Sequence, residues 1–151
     1  MLDDIDRRLL RILQRDPAAP MGELADHARV SQATAARRLE RLRSKGIIRS
    51  ERVSINWAEL GYSVEVSLRI TLDKTNPRAF DEFQLAARRV REVIEVQTFL
   101  GQVDIRLGVI ARDMAHYQSI YRSEILTLPH IADIEALMHV AEIKSERVLP
   151  I

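Results

Sequence analysis

The stretch from Glu23 to Ile48, ELADHARVSQATAARRLERLRSKGII, constrains this chain most, because its apolar positions suit two short helices meeting at a sharp corner. Ala35, Leu39 and Leu42 fall at i, i+4 and i+7 and form one buried stripe. Gln32, Ala33, Ala36, Arg37, Glu40 and Arg41 point elsewhere. Ser31 is a good N-cap, its hydroxyl placed to accept from the main-chain N–H of Ala33 or Thr34, so the second helix is expected to begin at Gln32. Leu24, Ala25 and Ala28 are small apolar contacts for a close crossing, and Val30 plugs the corner. Gly46 should end the second helix in the left-handed conformation after Lys45, with Ile47-Ile48 opening an extended segment. Upstream, Ile5, Leu9, Ile12 and Leu13 keep the helical period from about Asp3 to Gln14, and Pro17 and Pro20 bound the following loop. Three helices and then a basic strand pair describe a winged helix-turn-helix.

Charge bears on what such a motif could meet. Residues 29 to 52 hold eight basic side chains (Arg29, Arg37, Arg38, Arg41, Arg43, Lys45, Arg49, Arg52) and two acidic ones (Glu40, Glu51), a local charge of +6. The whole chain, with 23 basic against 22 acidic residues, is only +1, so the remainder sums to −5. A solvated helix face could carry arginines too, but clustering of one sign argues for a surface that meets phosphates. Double-stranded DNA is the expected partner. Ser31, Gln32, Ala33, Thr34 and Arg37 form the expected groove-facing group, with Arg37 the best base reader because a guanidinium can bond guanine O6 and N7 together. Arg38, Arg41, Lys45 and Arg49 are expected phosphate anchors. For Arg38 a salt bridge to Glu40 or Asp26 is the competing assignment.

A boundary falls near Asn56 to Tyr62, giving a DNA-binding part over residues 1–60 and a second part over 61–151. Ser63 to Leu72 alternates, with Val64, Val66, Leu68, Ile70 and Leu72 on one face, which predicts a strand. Asn76-Pro77 reads as a cap and first-turn proline for a helix running to about Arg91. Val93 to Leu100 and Val103 to Ala111 read as strands joined by a tight hairpin at Gly101-Gln102. Asp113 caps a helix whose Met114, Tyr117, Ile120, Tyr121 and Ile125 are expected to point inward, and Ile131 to Ile143 reads as the last strand. The order βαββαβ is ferredoxin-like, an α+β fold with two helices on one face of an antiparallel sheet. Apolar residues on the first and last strands exceed what two helices would cover, so the other face is expected to pack on a second copy, a homodimer.

These segments together resemble a known family. LDDIDRRLLRILQRD at residues 2–16, LADHARVSQATAARRLERLRSKGII at 24–48, GQVD at 101–104 and DMAHYQSIYRSEILTLPHI at 113–131 are similar to the Lrp/AsnC, or feast/famine, transcriptional regulators. The resemblance implies a winged helix-turn-helix joined to a βαββαβ regulatory (RAM) domain, dimers formed by packed sheets, and octamers built from dimers. It also implies a small effector, commonly an amino acid, bound between dimers near Gly101, Gln102, Val103 and Asp104. Many members resemble Gly-Asp-x-Asp there, so Gln102 departs from the pattern and leaves Asp104 as the charged candidate for an effector ammonium. The competing assignment makes Gly101 a positive-φ hairpin residue and Asp104 a solvated strand residue.

An enzyme is the rival class. Siroheme decarboxylases share this architecture, but residues 53–151 carry 11 basic and 14 acidic side chains, whereas tetrapyrrole chemistry would want a basic, His-lined cleft. His27, His116, His130 and His139 have no metal-ligand spacing, and neither a phosphate loop nor a nucleophile elbow is present. No metal or cofactor is expected. With no cysteine and no segment of membrane-spanning length, the expected compartment is the cytoplasm.

Overall fold

The computed structural model describes residues 2–141 and 148–151. Two compact units emerge, Met1–Ser54 with Lys144–Ile151, and Ile55–Ile143. In the first unit, α1 (Asp4–Arg15), α2 (Met21–Ala28) and α3 (Gln32–Ser44) close around Leu9, Leu24, Ala25, Ala28, Ala35, Leu39 and Leu42, all essentially without exposure. The alanines matter for that closure. With a single methyl at Ala25, Ala28 and Ala35, helix axes can approach until Leu39 and Leu42 fill the space between them.

The helix ends follow local chemistry. Ser31 Oγ accepts from the Thr34 N–H, and α3 begins at Gln32 as its cap requires. At the far end Gly46 has φ +66°, while the N–H groups of Gly46 and Ile47 bond the carbonyls of Arg43 and Leu42 at 2.9 Å each. That is a Schellman closure. A second one ends α2, with Val30 N–H on Ala25 O and Arg29 N–H on Asp26 O at 3.0 Å each, but its left-handed residue is Arg29, φ 57°. A side chain in that conformation is strained, so Arg29→Gly is expected to stabilise this unit by about 0.5–1 kcal/mol. The urea midpoint should rise at constant m-value; a lower midpoint would contradict the strain argument.

After Gly46 the expected strand pair is missing among the described residues. Arg49 to Ile55 is exposed throughout, its two apolar side chains Val53 and Ile55 included, so no burial rewards its pairing. The wing is a loop here.

The second unit is built on a four-stranded antiparallel sheet in the order β2-β3-β1-β4, with β1 (Val64–Leu72), β2 (Val93–Thr98), β3 (Ile105–Ala111) and β4 (Ile131–Met138). Val66, Leu68, Ile70 and Leu72 pack with Phe83 and Ala87 of α4 (Ala79–Ala87) and with Tyr117 and Ile120 of α5 (Met114–Ile120). Buried positions continue at Ile125 and Leu128. The step from Ile120 to Ile125 overshoots one α-turn by a residue, and a π-turn over Tyr121–Ile125 absorbs it, with Leu126 N–H reaching Tyr121 O at 2.9 Å.

Several expected boundaries shift. The Asn76 carboxamide accepts from Arg78 N–H at 2.9 Å, a local turn that delays α4 to Ala79, and the helix stops at Ala87 instead of Arg91. Met114, expected inside, is exposed at the first turn of α5. β4 ends at Met138, with Val140 solvated; Glu142 and Ile143 lie outside the described residues.

The uncovered sheet face also differs from expectation. Alternation sends every apolar residue of β1 toward the helices, leaving Glu65, Ser67, Arg69 and Thr71 on the other side. Cross-strand pairing puts Arg69 beside Glu135 and Arg106 beside Gln97 on that face. Arg106 also bonds the Glu95 carboxylate. The face is mostly polar, with Ile110 opposite Glu65 and Leu137 opposite Ser67 as apolar positions on it.

Candidate nucleic-acid interface and regulatory loop

The first half of α3 presents short side chains to solvent. Gln32, Ala33, Ala36 and Arg37 are exposed, beside Ser31, whose hydroxyl also donates to Thr34 Oγ1 at 3.0 Å. Thr34 is half-buried. Small residues at a helix start let the helix axis approach a groove floor, and Arg37 follows with a guanidinium of full reach. Lys45 and Arg49 are exposed beyond its other end.

Arg38 and Arg41 do not stand free as sequence reading expected. Asp6 of α1 is wholly buried, and Arg41 Nη2 donates to its two oxygens at 2.8 and 2.6 Å. Arg38 Nη1 donates to Asp6 Oδ1 at 3.1 Å and to the Asp3 carboxylate. The Arg38 side chain is only 19% exposed and its partners are Asp3 and Asp6, not Glu40 or Asp26. A buried carboxylate requires compensating charge, and α3 supplies it. Asp3 and Asp6 also cap α1 reciprocally, Asp6 N–H on Asp3 Oδ1 at 2.9 Å and Asp3 N–H on Asp6 Oδ2 at 3.3 Å. Sequence reading passed over Asp6, although it shares a stripe with Leu2, Leu9 and Leu13 and so announced a buried acid.

The hydrogen bond from Arg38 holds the Asp3 carboxyl down at about 2, from an ordinary 3.8. A depressed carboxylate stabilises the fold fully above its ordinary range and loses that contribution as pH falls through about 2. Glu82, bonded by His130, is shifted the same way, so melting temperature should fall between about pH 4 and pH 2. Asp3→Asn should flatten part of that slope in the first unit; an unchanged pH profile would remove Arg38 as the cause.

In the second unit, β2 and β3 are not joined by a tight hairpin. Six residues, 99–104, connect them, and Gly101 does not have positive φ. The cause is Asp104, which turns inward at 2% exposure: its Oδ2 accepts from Leu72 N–H at 2.9 Å and its Oδ1 pairs with Lys74 Nζ at 2.8 Å. Burial pushes its pKa up, but the Lys74 ammonium and the Leu72 N–H outweigh that and hold it below the carboxylate range. Asp104 is therefore neither a solvated residue nor a free partner for an ammonium. Gly101 and Gln102 remain exposed with Val103 half-buried, and Thr71 Oγ1 donates to Gln102 O at 3.2 Å. Leu100 beside them is fully exposed.

Residues 2–49 match the model of a winged helix-turn-helix DNA-binding domain, and residues 65–149 match that of the Lrp/AsnC ligand binding domain. The chain belongs to the Lrp/AsnC family. It is accordingly a DNA-binding transcriptional regulator with a second domain of the ligand-binding type. The leucine-responsive regulatory protein of Escherichia coli strain K12 is 29% identical over 150 residues, covering 99% of this chain and 92% of that one. An AsnC family transcriptional regulator from Agrobacterium tumefaciens superposes with a TM-score of 0.88 at 27% identity, covering 99% of this chain and 97% of that one. A feast or famine regulatory protein from M. tuberculosis, solved in complex with L-methionine, gives 0.86 at 25% identity and 97% coverage of both. Among the described residues of this Lrp/AsnC regulator, no helix is long and apolar enough to cross a membrane.

Proposed function

We propose that this Lrp/AsnC regulator acts in the cytoplasm as a homodimer, inserting one α3 per subunit into successive major-groove turns of an operator. The carrying observation is the exposed, small-to-basic surface from Ser31 to Arg37, held between a side-chain cap and a glycine closure on a rigid three-helix core. Arg37 reads a base; Arg41, Lys45 and Arg49 hold phosphates; Arg38 serves the fold. Paired half-sites would lie about 34 Å apart. The DNA-binding part is taken as residues 1–60 and the regulatory part as 61–151.

For pairing, a second copy on the open sheet face would match Arg69 and Arg106 with Glu135 and Glu95, and would add the exposed Trp57, Leu60 and Ile94, which with Tyr62 and Ile110 line a cleft of about 230 Å³. Dimers then assemble further, to an octamer. An amino acid effector reaches the exposed Gly101, Gln102 and Val103, and its ammonium is met by main-chain carbonyls or the Gln102 amide instead of Asp104. The methionine complex of the M. tuberculosis relative makes L-methionine the first ligand to try. No enzymatic step is assigned: the relatives named above are regulators.

The test is DNA selection with the purified chain, repeated with a panel of amino acids and followed by native mass. A two-fold site should emerge. On it, Arg37→Ala should lose about 1–3 kcal/mol of discrimination at one position per half-site, while Lys45→Ala should weaken operator and random DNA alike. Equal losses on both DNAs for both variants would refute the division of roles.

A further inference from the structure

We infer that Asp6 is a positioning residue for DNA binding: from inside α1 it orients the Arg41 guanidinium of α3, so that the outer edge of that group is presented to a backbone phosphate. The inference rests on the DNA-binding reading above. Arginine has five N–H donors in one plane. In Arg41 a single Nη2–H is shared between the two Asp6 oxygens, with Nη2 at 2.8 and 2.6 Å from them, which leaves Nε–H, the two hydrogens of Nη1 and the other hydrogen of Nη2. The acceptor is immobile. Asp6 has no exposure, sits in the first turn of α1, and is itself bonded by Arg38 Nη1 at 3.1 Å and by Asp3 N–H at 3.3 Å.

The donor is only half committed, since the Arg41 side chain remains 44% exposed, against 19% for Arg38. The two arginines therefore differ in kind. Arg38, largely buried, bonds both Asp3 and Asp6 through Nη1 and ties α1 to α3, whereas Arg41 is held at Nη2 and open at its other nitrogens. An arginine fixed this way loses little rotamer entropy on meeting a phosphate, because that freedom was lost on folding.

Two physical accounts give opposite signs. If Asp6 acted only through its charge, removing it beside a cationic DNA-binding face would strengthen binding. If it orients Arg41, removing the carboxylate frees the guanidinium and weakens binding. Asp6→Asn separates them at constant size.

The experiment measures affinity of the full chain for its selected operator duplex over a salt series, with melting followed by circular dichroism. Asp6→Asn should weaken binding about tenfold at fixed salt, corresponding to one lost charged hydrogen bond. Arg41→Lys keeps the charge at an exposed site and should lose a similar factor even if Asp6→Asn proves unstable. In the double variant Asp6→Asn with Arg41→Ala, the loss should equal that of Arg41→Ala alone, because the carboxylate then has nothing to orient. Wild-type affinity or tighter in Asp6→Asn, wild-type affinity in Arg41→Lys, or multiplying losses in the double variant would each overturn the inference. A wild-type chain that binds no duplex would overturn the DNA-binding reading itself, and this inference with it.

Discussion

Raising monovalent salt from about 50 to 200 mM is expected to weaken operator binding roughly 10³-fold. Each phosphate neutralised by a basic side chain contributes a slope of about −0.9 in log K against log salt, through release of condensed counterions. Three anchors per subunit, Arg41, Lys45 and Arg49, make six in a dimer and a slope of about −5.4; a fourfold change in salt then costs about three decades. Had Arg38 been a fourth anchor, the slope would be about −7.2. The structure argues for the lower figure, because Arg38 is spent on Asp3 and Asp6. The Arg43–Glu51 pair at 2.9 Å similarly withholds one cation of the +6 segment. Binding isotherms by anisotropy at five or six salt concentrations give the slope directly. A value shallower than about −2 would mean that the basic segment does not lie along the DNA backbone.

What could be read in the sequence was what depends on neighbours in the chain. Ser31 caps α3 with a hydroxyl acting on an N–H three residues away, and Gly46 closes it with a backbone angle other residues resist. The alternation of β1 is likewise local, and its apolar row lies where period two puts it. The order βαββαβ follows in the same way from the alternation and caps of each segment. What stayed hidden depends on residues far apart. Asp6 meets residues 32 and 35 positions away, and a helix-start aspartate looks the same whether it faces water or two arginines. The loop over residues 99–104 looked like a two-residue hairpin because Gly-Gln suits one; its length is set by a carboxylate bonding Leu72 and Lys74 of another segment. The open face is more polar than the apolar count on β1 and β4 suggests, although Leu137 of β4 does lie on it. Counting apolar residues on β1 and β4 without assigning each to a side overstated what the helices leave uncovered, and β1, flanked by β3 and β4, sends its whole apolar row to one side.

Replacing Asp104 by Leu is expected to lower the stability of the regulatory unit by about 2–3 kcal/mol, the cost of orphaning the buried Leu72 N–H and losing a charged partner for Lys74. For a unit of this size that lowers its melting temperature by roughly 10 °C. Asp104→Asn should cost less, about 1 kcal/mol, because a carboxamide oxygen can still accept from Leu72 while only the Lys74 pair is weakened. The asymmetry between the two variants tests whether the carboxylate is structural. It also reaches the effector. If Asp104 faces inward in the working protein, Asp104→Asn, assayed below its melting temperature, should keep any amino-acid-dependent change in DNA affinity, whereas bulk added at the exposed Gly101, where a Cβ would meet open space, should remove that change without unfolding the unit. Calorimetry gives the first half and DNA binding with and without the amino acid gives the second. A folded Asp104→Asn that no longer responds would mean that the carboxylate leaves Leu72 and Lys74 to meet the ligand, and the loop over residues 99–104 would then be the element that moves.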